Sequence, residues 1–127
     1  MEAPLTKQSM EPTQNPKVDK LLKKYAAGER NFREIDLSQS DLSGINLKGA
    51  DLSYADLRET NLNNANLRGT DLSYASLSEA DLTQADLRGS SLFGVDLRST
   101  TLTDISLTEA DYDKTTHFPA GFDPNAS

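Results

Sequence analysis

The sequence predicts an all-β solenoid, a stack of short extended pieces and turns, and three observations carry that reading. The first is a strict period of five. Its centre is Phe32, then Leu at every fifth residue from Leu37 to Leu107, then Tyr112, giving fifteen Leu in register and seventeen centres. The second is the company each centre keeps. Two residues earlier the side chain is mostly small (Ala50, Ala55, Thr60, Ala65, Thr70, Ala75), and one residue earlier it is mostly Asp or Asn (Asp36, Asp41, Asn46, Asp51, Asp56, Asn61). The two residues after each centre are polar, charged or Gly, apart from Tyr54, Tyr74 and Phe93. The third is that a period of five fits neither a helix at 3.6 nor a flat strand at 2. It fits an extended piece and a turn that return each centre to the same side. Stacking such units buries a continuous inner column and gives each backbone group a partner in the next coil.

Along the chain, residues 1–14 (MEAPLTKQSMEPTQ) carry two Pro and no pattern, and are expected to be a disordered tail. Residues 15–28 predict a capping helix: Asn15 is its N-cap, Pro16 opens the first turn, and Gly28 stops it. Val18, Leu21, Leu22, Tyr25 and Ala26 form an apolar stripe at helical spacing, with Lys17, Lys20, Lys23 and Lys24 expected opposite. A basic amphipathic helix also suits a membrane surface or a partner. The short stripe favours a plug over the open end of the solenoid, which terminal repeats require. The repeat occupies residues 29–113, and residues 114–127 form a C-terminal cap and tail. There Tyr112, Phe118, Pro119 and Phe122 are expected to fold over the last coil, a dimer contact being the alternative.

The motif A-D/N-L-x-x, in strings such as ADLSYADLRETNLNNANLRGTDL, resembles the pentapeptide-repeat family from about residue 30 to 113. The resemblance implies a right-handed quadrilateral β-helix with four pentapeptides per coil. The chain carries its own sign of a twenty-residue coil. DLSYA occurs at 51–55 and again at 71–75, and Lys48, Arg68 and Arg88 are each followed by Gly. Seventeen centres at four per coil make about four coils, roughly 20 Å of body at the ~4.8 Å strand spacing. The bulky residues at the small position, Ile35, Ile45, Val95 and Ile105, then fall in two columns, with Ala in the middle coils.

Composition bounds the function. Apolar residues are only 35% of the 127, which alone would allow disorder, and the repeat removes that option. The absence of Cys excludes disulfides, thiolate zinc sites and a thiol nucleophile. The one His, His117, has no Ser or Asp arrangement around it that forms a triad. Calcium-binding β-rolls use a Gly-rich nonapeptide instead of this motif, and no Gly-rich phosphate loop is present. The Asp and Asn residues are expected to accept bonds from nearby backbone amides. No enzyme activity, metal or cofactor is therefore expected. The longest apolar run, Tyr25-Ala26-Ala27, is too short for a membrane span or signal-peptide core, which favours a cytoplasmic protein.

Residues 31–113 hold 15 acids and 6 bases, a net of −9, whereas residues 1–30 are +2. Such an acidic body repels nucleic acid, so no direct binding is expected. Some members of the resembled family copy the shape and charge of DNA and inhibit DNA gyrase. Here the basic columns Lys48, Arg68, Arg88 and Arg58, Arg98 interrupt that likeness. Two outward surfaces are candidates. Tyr54, Tyr74 and Phe93 form either a protein-contact face or a self-stabilising aromatic ladder. Lys48, Arg68 and Arg88 either meet an acidic partner or pair with neighbouring Asp. The expected function is a non-catalytic protein-binding or scaffold module for an unidentified protein partner, as a monomer or a weak dimer through the C-terminal end. Similarity to short cyanobacterial members implies a regulatory role, in differentiation or photosynthetic assembly. A DNA-mimicking gyrase inhibitor is the alternative, and a purely structural role the second.

Overall fold

The computed structural model of the chain describes residues 15–125, so the expected tail at 1–14 lies outside the described residues. Most five-residue units build the same local structure. The Asp or Asn carboxyl or amide oxygen accepts from the N–H two residues on, as Asp36 Oδ1 does from Ser38 (3.0 Å) and Asn66 Oδ1 from Arg68 (3.1 Å). The central residue's carbonyl then accepts from the N–H three residues on, as between Leu52 and Ala55 (3.1 Å). The third residue of that turn is left-handed, with φ 61° at Tyr54, 62° at Asn64 and 64° at Gly69, which makes the turn type II. Ten of the described left-handed residues are not Gly. Each costs about 1 kcal/mol or more in isolation, so the stack must hold them in place.

The stack does so through parallel bridges twenty residues apart, from Asn31 with Asp51 to Ser91 with Asp111. One coil is therefore four pentapeptides. Each unit bonds in both directions: Leu52 N–H donates upward to Asp71 O (2.8 Å), and Asp71 N–H donates downward to Ala50 O (3.0 Å). Four inward columns result, led by Phe32, Leu37, Leu42 and Leu47, and every central Leu is buried. The small positions complete the core. Where they carry hydroxyls these are satisfied locally, Thr60, Thr70 and Ser90 each donating to the carbonyl three residues back (2.7 Å).

Helix α1 (Pro16–Ala26) packs on the first coil through buried Val18, Leu21 and Leu22. Asn15 caps it, accepting from Lys17 N–H (3.0 Å), and its side-chain amide donates to Ser40 Oγ (2.9 Å). Tyr25, half-buried, donates its hydroxyl to Lys48 O (2.7 Å) and carries the Arg30 guanidinium 3.6 Å above its ring. The lysines are not all opposite the apolar stripe. At 3.6 residues per turn, Lys17, Lys20 and Lys24 flank Leu21 on the helix surface and border the first coil.

The stack also does not stop at residue 113. His117 bridges Asp96 at a separation of 21, so one unit absorbs an extra residue and then rejoins the ladder. Two threonines repair the step. Thr115 Oγ1 accepts from Gly94 N–H (2.9 Å), and buried Thr116 takes the small position and donates to Leu92 O (2.9 Å). Tyr112, Phe118 and Phe122 then pack together, edge-on at 5.3 Å and stacked at 5.4 Å, against the end of the core.

One coil below that insertion the ladder loosens. Ser76 and Asp96 still bridge, but Leu77 N–H to Asp96 O, Glu79 N–H to Arg98 O and Asp96 N–H to Ala75 O fall short of the geometry of their counterparts a coil away. Glu79 N–H turns instead to Ser99 Oγ (3.2 Å), and Thr100 Oγ1 reaches down to Leu77 O (3.1 Å). Ser99 is the third residue of its turn yet is not left-handed. A polar cleft of about 250 Å³, lined by Ser76, Ser78, Gly94 and Ser99 among others, opens at this level.

Candidate interaction faces

Tyr54 and Tyr74 occupy the left-handed corner of successive coils, and that backbone geometry throws both side chains outward in register. Their rings stack at 5.2 Å between centroids and 16° between planes. The Arg33 guanidinium lies 5.2 Å from the Tyr54 ring. At the other end the column continues with Gly94, whose bare α-carbon lets the Tyr74 ring settle over the backbone. The stack therefore runs from a cation through two rings to a glycine, and what solvent sees is the ring edges and hydroxyls. Tyr54 and Tyr74 are 52% and 55% exposed, the only exposed large apolar side chains among the described residues. Phe93 does not join them. It stands one position back, half-buried, and makes no aromatic contact among the described residues. Arg33 and Gly94 escaped the sequence reading, although adding and subtracting twenty from the tyrosine positions leads to Gly94 and to the neighbour of Arg33.

The second face is divided by one atom of chemistry. Where the motif reads Asp-Leu-Arg, the guanidinium folds back on the carboxylate of its own turn. Arg88 holds Asp86 with two bonds (2.9 and 2.7 Å), as Arg58 holds Asp56 and Arg98 holds Asp96. Where the motif reads Asn-Leu-Arg or Asn-Leu-Lys, no carboxylate waits. Arg68 reaches across to Asp86 at 3.9 Å, and Lys48 forms no ion pair among the described residues. Lys48 and Arg68 thus carry the available charge of the column, and Arg88 does not.

The outward carboxylates are held in their ionised form. The Arg98 side-chain bonds, with its backbone N–H, bring Asp96 down to about 2. The Arg88 side chain lowers Asp86 and the Arg58 side chain lowers Asp56, in each case against some desolvation. Hydroxyl donors do the same where Ser or Thr follows: Ser53 lowers Asp51 and Thr83 lowers Asp81. These bonds are the structural duty of the Asp column. Among the described residues no group of three His, Cys, Asp or Glu converges in a way that would hold a metal ion. His117 is exposed and sits in the β-ladder opposite Asp96.

Comparison with known proteins places this geometry. A family model described as pentapeptide repeats matches residues 31–69 and 50–89. The crystal structure of alr5209, a pentapeptide repeat protein from Nostoc PCC 7120, superposes with a TM-score of 0.80 at 51% identity, covering 82% of this chain and 86% of that one. A pentapeptide repeat protein from the Arabidopsis thaliana thylakoid lumen, AT2G44920, superposes with a TM-score of 0.55 at 34% identity, over 65% of this chain and 60% of its own. No curated protein matches the chain. Among the described residues, no helix is long and apolar enough to cross a membrane.

Proposed function

The chain belongs to the pentapeptide-repeat family, and from that premise we propose that it is a non-catalytic protein-binding module whose partner seats on the Tyr54–Tyr74 face. The observation that carries the reading is the exposure of these two rings where the other large apolar side chains among the described residues are withdrawn from solvent. A ladder needed only for stability would profit from burial. Two rigid, pre-stacked rings lose little side-chain freedom on binding and present amphipathic edges to a partner, which is what makes tyrosine a frequent interface anchor. The regular coil fixes their separation, so recognition relies on a preformed surface.

Three finer points belong to the same proposal. The proposal includes a regulatory or assembly role in the cytoplasm, and the similarity to the Nostoc protein supports only the kinship to cyanobacterial members. The chain acts as a monomer, with Tyr112, Phe118 and Phe122 closing the C-terminal end of the core instead of forming a strong dimer contact. Against a DNA-mimicking gyrase inhibitor, Lys48 and Arg68 keep cationic charge on one face of the acidic body, where a duplex mimic needs anions.

The test is a quantitative pull-down from the source cell's lysate. The parent runs beside a Tyr54→Ser/Tyr74→Ser variant and an Arg68→Glu/Lys48→Glu variant, all checked for folding. The proposal expects a specific partner retained by the parent and the charge variant and lost by the tyrosine variant. Retention by the tyrosine variant overturns the face. Recovery of gyrase as the partner overturns the module reading in favour of the mimic.

A further inference from the structure

The seam between helix α1 and the first coil holds a second surface, independent of the tyrosine face. A cleft of about 180 Å³ opens there. Its floor is apolar, made by Leu21, Phe32 and Ile35, and its rim carries three cations, Lys17, Lys20 and Lys24, against one carboxylate, Asp36. An apolar cavity of about 150 Å³ takes up a benzene molecule, so this space admits one phenyl or isobutyl group. The helix seals the core through Val18, Leu21 and Leu22 and leaves this cleft open beside Leu21.

The rim is underused. Lys17 lies 3.7 Å from Asp36 and Lys24 lies 3.9 Å from Glu29, both loose and exposed pairs. The Lys20 side chain has no ion pair or hydrogen bond among the described residues. On a protein of net charge −7, whose repeat is the acidic part, this is a place where an anion is attracted. It is attracted only if short, because a longer polyanion would run onto the acidic body.

We propose that this cleft binds a short acidic peptide carrying one apolar anchor, of the form acidic–apolar–acidic. The spacing supports a peptide over a single carboxylate. Lys20 and Lys24 are about 6 Å apart along the helix axis at 1.5 Å per residue. In an extended chain, the residues on either side of a central one point the same way and lie about 6.7 Å apart, while the central one points oppositely. Two carboxylates therefore meet Lys20 and Lys24 at the rim as the anchor enters the floor between Leu21, Phe32 and Ile35. Lys17, held by Asp36 and by Ser38 O (3.4 Å), offsets that carboxylate at the border of the site and leaves Lys20 and Lys24 to meet the peptide.

The test is a titration of the ¹⁵N-labelled full chain with the blocked peptide Ser-Glu-Phe-Glu-Ser at about 50 mM salt, where exposed charges are weakly screened. The expected result is saturable shifts at residues 17–24 and 32–36. Replacing the peptide's Phe by Ala, replacing both Glu by Gln, and Lys20→Glu in the protein each weaken binding about tenfold or more. Lys20 is exposed, so Lys20→Glu keeps the fold, which the amide spectrum checks. The Tyr54→Ser/Tyr74→Ser variant binds the peptide as the parent does, which separates this site from the partner face. The inference is overturned by an absence of saturation, by shifts centred on Tyr54 and Tyr74, or by equal binding of the Ala-substituted peptide, which is charge attraction alone. Capture of the chain by phosphatidylglycerol vesicles through the same lysines, with no peptide bound, also overturns it.

Discussion

The ring of Tyr74 rests on Gly94, one coil away, so closely that a β-carbon at Gly94 would overlap it. Gly69 is equally left-handed, at φ 64° against 71°, yet a β-carbon there meets nothing. The pair separates backbone strain from ring contact. Gly69→Ala is expected to cost about 1 kcal/mol from left-handed strain alone. Gly94→Ala costs more and displaces the Tyr74 ring from Tyr54. Thermal melting measures the first difference, and the ring-current shifts of the two tyrosines measure the second.

Leu72 lies in a middle coil and is fully buried, with a coil on either side to hold the cavity open. Leu72→Ala is expected to destabilise by about 2–5 kcal/mol. Leu72→Lys buries an unpaired ammonium and unfolds the stack. Urea melts of the two variants check both; a lysine variant that melts like the parent would mean that the inward assignment is mistaken.

Acid should loosen the protein in a defined window. Asp96 titrates at about 2 in the fold, held down first by the Arg98 side chain, against about 3.9 in an unfolded chain. The unfolded state therefore binds its proton first. The stabilisation is complete above about pH 4 and is lost as pH falls through about 2. Asp51, Asp56, Asp81 and Asp86 shift in the same direction. The melting temperature should fall across this window, and less steeply in Asp96→Asn, which keeps an acceptor for Arg98 N–H but cannot ionise.

The loosened ladder makes a kinetic prediction. Leu57 N–H donates to Ser76 O at 2.8 Å, whereas the equivalent bond from Leu77 to Asp96 survives only in a weakened bridge of Ser76 with Asp96. Amide hydrogen exchange at Leu77 and Asp96 is expected to be faster than at Leu57 and Ser76, with opening confined to this level of the stack. Equal protection would show the ladder to be intact there.

Much of this was legible because the repeat is a counting problem. The positions of Leu57 or Thr70 follow from a period of five, and the column holding Tyr54 and Tyr74 follows from a period of twenty. The reading lost accuracy where the count changes. Nothing at residues 112–117 announces an extra residue, because Thr116 suits the small position as well as Thr115 does, and only the ladder to Val95 and Asp96 selects it. Phe93 looked like a third member of the aromatic face, but corner and flat positions one residue apart point differently. The division of the basic column was written in the sequence, in Asn66 against Asp86. It became visible only with the guanidinium of Arg88 closed on its own turn.

The most direct test of the central claim is site-specific photocrosslinking in the source cell. A benzophenone amino acid replaces, one at a time, Tyr54, Tyr74, Arg68 and Gln84, so that the tyrosine corner is compared with two other exposed faces. The account predicts one discrete adduct from positions 54 and 74 and none from 68 or 84. An adduct of equal yield from position 68 or 84, or none from 54 and 74 in folded protein, would contradict it.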